Sequence, residues 1–199
     1  MKKPLPKEIS EARASEYPIH PLILSRWSPR SMTGEPITDK ELMPLLEAAR
    51  WAPSSYNGQP WRFIYAKRNT AHWNHFLSLL TETNQKWASK AGVLILVISH
   101  KVFEHNQKPS ISHSFDAGSA WMCLALQGNA SDIAVHAMQG FDYEKARELC
   151  NVPLDYQVEI MIAVGKRGEK GNLPFEMRAK ETPSKRKPLR DIAMEGNFK

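Results

Sequence analysis

Arg26, Ser28 and Arg30 alternate in the stretch RWSPR. In an extended segment all three side chains leave the backbone on one side. Two guanidinium groups and a hydroxyl form a donor set that matches a phosphate, which takes bidentate, charge-assisted hydrogen bonds. A basic surface turn has the same composition, so the chemistry depends on what else the chain supplies. A second basic stretch, KETPSKRKPLR, lies near the C-terminus. Between Trp51 and Phe63 the chain reads WAPSSYNGQPWRF, which crowds Pro53, Ser54, Ser55, Asn57, Gln59 and Pro60 between two tryptophans. Hydroxyls and amides at this density can line a polar ring edge, or can satisfy the carbonyls of their own turn.

Other patterns carry less. GKRGEKG follows a strand-like run, but Pro174 and a polar stretch come where a nucleotide-binding loop needs a helix, and the glycine spacing is wrong. No Walker loop, HExxH, GxSxG or cysteine-based zinc pattern is present. His72 and His75 share a helix face with no carboxylate to complete a metal site, so a surface pair is expected and no metal. Cys123 and Cys150 have neither ligand spacing nor a disulfide pattern, which suits a reducing, cytoplasmic setting.

The elements that must hold these residues follow from periodicity. HPLILSRW predicts a short helix with Leu22, Ile23 and Trp27 inward. ITDKELMPLLEAARW opens on Thr38-x-x-Glu41, a capping-box pattern, and sets Leu42, Leu45, Leu46 and Ala49 on one face. Pro44 removes a backbone donor and predicts a bend or a late start. WRFIYAK reads as a strand, TAHWNHFLSLL as a helix, and NQKWASK as a polar segment. AGVLILVISH is an apolar run of strand length, expected to be covered on both faces. SFDAGSAWMCLALQGNA is a helix apolar on most sides, expected to be buried all round, with Gly118, Ser119 and Ala120 allowing close approach of another helix. SDIAVHAM is a strand, FDYEKARELCNVP a helix begun by Asp142, and YQVEIMIAVGK the last strand. Trp51 and Trp61 are expected to pack in the core.

Helices and strands mix without regular βαβ alternation, which predicts an α+β fold with a small, mainly antiparallel sheet. A chain of 199 residues suits an N-terminal arm over 1–19 and a single domain over 20–199 that includes the basic tail. An all-round apolar helix in so short a chain implies that a second copy completes its burial, hence a homodimer. No run of about 18 apolar residues exists, so no membrane partner is expected, and MKKPLPKEISEARASEYP lacks the apolar region of a signal peptide. The net charge of +6 admits nucleic acid, a membrane surface or a phosphate-bearing small molecule, and its concentration in the two basic stretches favours the last.

PSSYNGQPW resembles a signature of the FMN-dependent nitroreductase family. Five further segments then fit in order. RWSPR is similar to that family's phosphate-binding segment and NQKWASKAGVLILVIS to the polar segment before its second strand. FDAGSAWMCLAL looks like its central dimer helix, MQGFDYEKARELCNVP like its flavin-facing turn and following helix, and SKRKPL like a basic segment returning to the phosphate. The resemblance spans roughly residues 20–194. It implies an intertwined α+β homodimer with FMN at the subunit interface. Arg26, Ser28 and Arg30, with the backbone at Trp27, would hold the phosphate, helped by Lys185 and Arg186. Pro53, Ser54, Ser55 and Asn57 would line the flavin ring from the partner chain. Asn84 and Lys86 would sit at its pyrimidine side, where positive charge stabilises reduced flavin. Gln139 and Gly140 would face N5, the hydride-accepting atom. Gln139 stands where many members carry Glu, and Ala91-Gly92 where Ala-Pro is frequent. HKVFEHNQKPSISHS matches nothing specific; Phe103, His113 and Phe115 are its substrate candidates.

The implied reaction is ping-pong: NAD(P)H reduces FMN, leaves, and an electron-poor acceptor such as a nitroaromatic or quinone takes its place. No catalytic side chain is assigned, because the flavin carries the chemistry. Related folds also remove halogens or fragment flavin, which are alternative reactions. A reading of another class is a basic module gripping single-stranded nucleic acid with Trp27, Trp51, Trp61 and Trp87. Those rings lie in apolar contexts rather than between lysines and arginines, which favours no nucleic-acid partner.

Overall fold

The computed structural model describes residues 5–198. Four strands form one antiparallel sheet in the order β1-β2-β4-β3: β1 Trp61–Lys67, β2 Val93–His100, β3 Ile133–Met138 and β4 Tyr156–Lys166. β2 and β4 hold the centre, and their register shifts between Val97 and Ile98. Every residue of β2 is buried, as its unbroken apolar run requires. Alternation then divides the core. Val93, Ile95, Val97, Ile162 and Val164 meet α3 (Asp39–Arg50) and α6 (His113–Ala130) on one face. Leu94, Leu96, Ile98, Met161 and Ala163 meet α4 (Trp73–Leu79), α5 (Glu82–Ala88) and α7 (Tyr143–Leu149) on the other. Each fully buried aliphatic contributes about 1.5–3 kcal/mol, so two dry layers are ample to fix the sheet. The expected α+β architecture with a small antiparallel sheet is the one observed.

Local signals acted as the patterns predict. The Glu41 carboxylate accepts from the backbone N–H and the hydroxyl of Thr38, at 2.8 and 2.7 Å, at the start of α3. Leu42, Leu45 and Ala49 are buried below it. Asp142 caps α7 by accepting from Lys145 N at 2.9 Å. Pro44 lies on the exposed side of α3, and the helix starts at Asp39 rather than late, its packing and cap outweighing one missing donor.

The polar segment NQKWASK mostly forms α5, which buries Trp87 and Ala88. Three expectations need correction. Ile23, expected inward from α2 (Pro21–Ser25), is exposed. Trp51 is not in the core but 73% exposed. It falls two residues past Ala49, off the buried face of α3, and its indole donates to Glu47 at 2.9 Å with Arg50 over the ring. Trp61 is buried as expected. Finally, α6 is not buried all round within this chain. Ala117, Ala120, Leu124 and Gly128 pack inward, while Phe115 is 79% exposed and a Cβ on Gly118 would meet nothing.

The ends of the chain lie on this body. α1 (Lys7–Ala12) buries Ile9, and Glu8 forms a two-pronged pair with Arg167 at 2.5 and 2.6 Å. After β4 the chain runs through the short α8 (Phe175–Arg178) into an extended tail, with Leu173 and Glu181 buried. Among the described residues no helix is long and apolar enough to cross a membrane, and no group of three or more side chains could hold a metal.

Candidate functional site

The segment 26–30 leaves α2 in extended form, and the structure surrounds it with cations. Arg26 Nη1 donates to Ser28 Oγ at 3.1 Å. Arg13, from the arm, donates through Nη1 to the carbonyls of Leu24 and Arg26, both at 2.8 Å, and through Nε to the Ser184 carbonyl at 2.9 Å. Arg186 is near enough that its charge, after burial, depresses the pKa of both Arg13 and Arg26. Among the described residues none of Arg13, Arg26, Arg30 and Arg186 forms an ion pair. Arg13 Nη2 is buried with no hydrogen-bond partner. Clustered guanidiniums that repel one another, one with an unanswered donor, form a site that an anion would complete.

His136 lies at the same place from β3. Its Nδ1 is 3.2 Å from the Pro29 carbonyl, and its ring lies 4.7 Å from that of Trp87. Burial, with Arg30 and then Arg26 adding to it, pushes its pKa down to about 4, so the ring is neutral at pH 7 and Nδ1 carries the proton given to Pro29. Trp27 turns its ring away, under the Arg167 guanidinium at 5.0 Å, into a separate cavity of about 570 Å³ beside α1 and α2.

The PSSYN segment is a tight turn after α3. Tyr56, Asn57 and Gln59 all have left-handed backbones, with φ of 51°, 53° and 45°. Side chains other than glycine hold that conformation at a cost of about 1–3 kcal/mol each where surrounding bonds enforce it. Here Ser54 Oγ accepts from Gln59 N at 3.0 Å, and the buried Asp116 of α6 accepts from Ser55 N at 3.1 Å and from Ser112 Oγ at 3.1 Å. Pro53 and Asn57 are exposed and Ser54 and Ser55 half-buried. Phe103 packs edge-on to Tyr56 with ring centres 5.5 Å apart, which brings one substrate candidate to this turn.

Asn84 and Gly140, far apart in sequence, meet directly. Asn84 Nδ2 donates to the Gly140 carbonyl at 3.0 Å while its Oδ1 accepts from the Trp87 indole at 3.2 Å. The Asn84 amide is thus engaged in holding the 139–140 turn. Gln139 is exposed beside it. Lys86 is exposed, 3.8 Å from Glu176, and Lys185 and Arg186 are exposed on the tail. His113 joins a different group: Ser99 Oγ lies 2.7 Å from its Nδ1 and donates to Glu159, which also accepts from Ser114 at 2.7 Å. Between α6 and the sheet is a cavity of about 270 Å³, walled by Val97, Ala117, Gly118, Ala137 and Ile160 with Glu159 at its side. Trp121 also lines it, and its indole N–H is buried without a partner. Phe115 projects outward from α6.

Sequence reasoning missed Arg13, Asp116 and His136. Arg13 sits in an irregular polar arm, Asp116 among the small residues of an apolar helix, and His136 reads as an inward strand position. None carries a local motif.

The fold and the order of these segments have known counterparts. The chain matches the model of the Nitroreductase family over residues 23–166. It belongs to the nitroreductase family. A solved oxidoreductase containing FMN is 45% identical and superimposes with a TM-score of 0.89, over 94% of this chain and 96% of its own. A candidate nitroreductase from Desulfovibrio desulfuricans, solved in complex with FMN, is 25% identical with a TM-score of 0.70, over 93% of this chain and 100% of its own. A nitroreductase family protein from Streptococcus pneumoniae TIGR4, at 22% identity and a TM-score of 0.70 over 87% and 98% of the chains, shares the fold. No curated protein matches. Within the nitroreductase fold, the basic segments, the serine turn and the 139–140 turn each gather polar groups from distant parts of the chain.

Proposed function

We propose that the chain is an FMN-dependent oxidoreductase that takes hydride from NAD(P)H and delivers it to an electron-poor acceptor, a nitroaromatic or a quinone, by a ping-pong mechanism. The observation that carries this reading is the arginine cluster: four guanidiniums that form no ion pair among the described residues, with Arg13 Nη2 buried and unpaired. A phosphate monoester carries about −1.5 to −2 charge and three acceptor oxygens, which answers both the repulsion and the empty donor. Membership of the nitroreductase family and the FMN of two similar solved proteins support the same cofactor.

Bound FMN supplies the hydride chemistry. The protein's residues supply place and field. Arg13, Arg26 and Arg30, with Arg186 and Lys185 from the tail, hold the phosphate, and Ser28 orients Arg26. The 270 Å³ cavity, walled mostly by Val97, Ala117, Gly118, Trp121, Ala137 and Ile160, offers an apolar wall for a ring system. Asn84 fixes the 139–140 turn, so that the backbone there is rigid before any ligand arrives. Pro53, Ser54, Ser55 and Asn57, held by Asp116, present a rigid polar edge that we assign to the flavin of a partner subunit. The open face of α6, with Gly118 and the exposed Phe115, and the exposed Ile111 just before the helix support a homodimer. Phe103 and Phe115 are the acceptor-side candidates. We place the arm at residues 1–19 and one flavin-binding domain at 20–199, working in the cytoplasm.

The alternative of a nucleic-acid module loses two of its four rings, because Trp61 and Trp87 are buried in the core. Stopped-flow reduction with NADH and with NADPH, followed by an acceptor screen with product analysis, tests the proposal. Rapid bleaching of the yellow protein and turnover with quinones or nitroaromatics is expected. A protein that takes up no FMN, or whose FMN neither nicotinamide reduces, would refute it.

A further inference from the structure

Glu181 is a carboxylate buried in the tail, with only 7% of its surface exposed. One oxygen, Oε1, accepts from the backbone N–H of Arg30 at 2.8 Å and of Ser31 at 2.9 Å, across 150 residues of sequence. The other, Oε2, is buried with no partner. A buried charge is retained only where strong bonds or fields repay its desolvation. Here two backbone donors do so, together with Arg167, whose guanidinium is raised in pKa by Glu8 and, more weakly, by the charge of Glu181. A carboxylate so near the arginine cluster would ordinarily neutralise it. Glu181 instead spends its bonds on peptide N–H groups and forms no ion pair with Arg26, Arg30 or Arg186 among the described residues. The cations stay available.

We infer that Glu181 is a positioning residue that fastens the C-terminal tail to the phosphate-binding segment, so that both halves of the anion site stand assembled before a ligand arrives. Three connections define the device. Glu181 binds the backbone at 30–31, Ser31 Oγ donates to the Glu169 carbonyl at 2.5 Å, and Arg13 holds the Ser184 carbonyl. Only three residues separate Glu181 from Lys185, and four from Arg186. Anchoring at 181 therefore restricts how far those cations can stray from Arg26. Without the anchor, each binding event would have to order the tail, and affinity would fall by that cost.

The inference rests on the reading of the arginine site as the FMN phosphate site, and the test separates the two. FMN and riboflavin, which differ by the phosphate alone, are titrated into flavin-free full-length protein. Glu181→Ala is expected to weaken FMN about tenfold, the size of a lost charge-assisted bond, and to leave riboflavin unchanged. Glu181→Gln keeps an acceptor oxygen and should stay close to wild type. Glu181→Asp, one methylene short, should behave as Glu181→Ala and serves if that variant does not fold. In the Glu181→Ala background, Arg186→Ala should cost less FMN affinity than it does in the wild type, because part of the tail's anchorage is already gone; an equal cost in both backgrounds would count against the anchor. Equal weakening of FMN and riboflavin, or unchanged FMN binding, would overturn the inference. Should the wild type bind neither flavin, the cofactor reading is what fails. Trypsin cleavage at Lys185–Lys187 then decides the anchor: faster cutting in Glu181→Ala supports it, and an unchanged rate removes it.

Discussion

His136 is held neutral by its surroundings, and that makes it a reporter of the proposed anion site. Its pKa lies near 4 because burial and the charges of Arg30 and Arg26 oppose protonation. A lowered base means that the unfolded chain binds the proton more readily than the folded one. The stability involved is therefore complete above about pH 6.5 and is lost as pH falls toward 4, by at most about 3 kcal/mol. An anion bound among those arginines would cancel part of their field. The His136 titration, followed by NMR, should thus move upward on addition of FMN or inorganic phosphate. A titration unaffected by either would place the anion elsewhere. Gly140 poses a packing question instead. A Cβ there would stand 2.7 Å from Asn84 Nδ2 and 3.1 Å from Thr81 Oγ1. Gly140→Ala must push Asn84 off the Gly140 carbonyl, at about 1–3 kcal/mol. The expected result is a lower Tm together with slower flavin reduction, and a wild-type Tm would show that the turn yields freely.

α6 links two parts of the site that share no sequence motif. Its Asp116, buried in the first turn, holds the serine turn through Ser55 N and is itself held by Ser112. Asp116→Ala leaves both donors without their acceptor and should cost about 1–3 kcal/mol. It should also weaken flavin binding, since the left-handed residues that follow would relax. Asp116→Asn, which retains one acceptor oxygen, should recover most of the loss in thermal unfolding. At the far end of the same helix, Gly128 lets α6 lie directly on β3, where a Cβ would come within 2.5 Å of Val135 Cγ2 and 3.1 Å of the Ile133 carbonyl. The helix is thereby pressed to the sheet at one end and tied to the turn at the other.

The whole molecule, as a single chain, leaves α6 half covered and the serine turn facing outward. Both features fit the proposed two-fold dimer, in which each flavin would take its phosphate cradle from one subunit and its serine edge from the other. That arrangement has a numerical consequence. Arg26→Glu and Ser55→Trp should each inactivate the homodimer. When the two are unfolded and refolded together, random pairing gives about half mixed dimers, each with one doubly damaged and one intact site, so about a quarter of all sites work. Activity should recover to roughly that fraction of wild type. Recovery near zero, with mixed dimers verified by native mass spectrometry, would show that Arg26 and Ser55 serve one flavin from the same chain.

What the amino-acid order determined by itself is whatever repeats along a short stretch or is dictated by a neighbour. Alternation and apolar runs fixed β1, β2 and β4 and the burial of β2, Thr38 and Glu41 fixed the start of α3, and Asp142 that of α7. Ordered segments such as RWSPR and PSSYNGQPW identified the family because their residue types and spacing survive translation into a linear pattern. Tertiary structure alone decided the rest. Trp51 lies outside because its hydrophobicity says nothing of its angle on α3, and α6 has an open face because composition cannot count the neighbours one chain supplies. Arg13, Asp116, His136 and Glu181 acquire their roles from partners 11 to 171 residues away. A hydrogen bond or a shared electric field across such distances has no period and leaves no local signature; it exists only once the sheet and its two layers have brought the segments together.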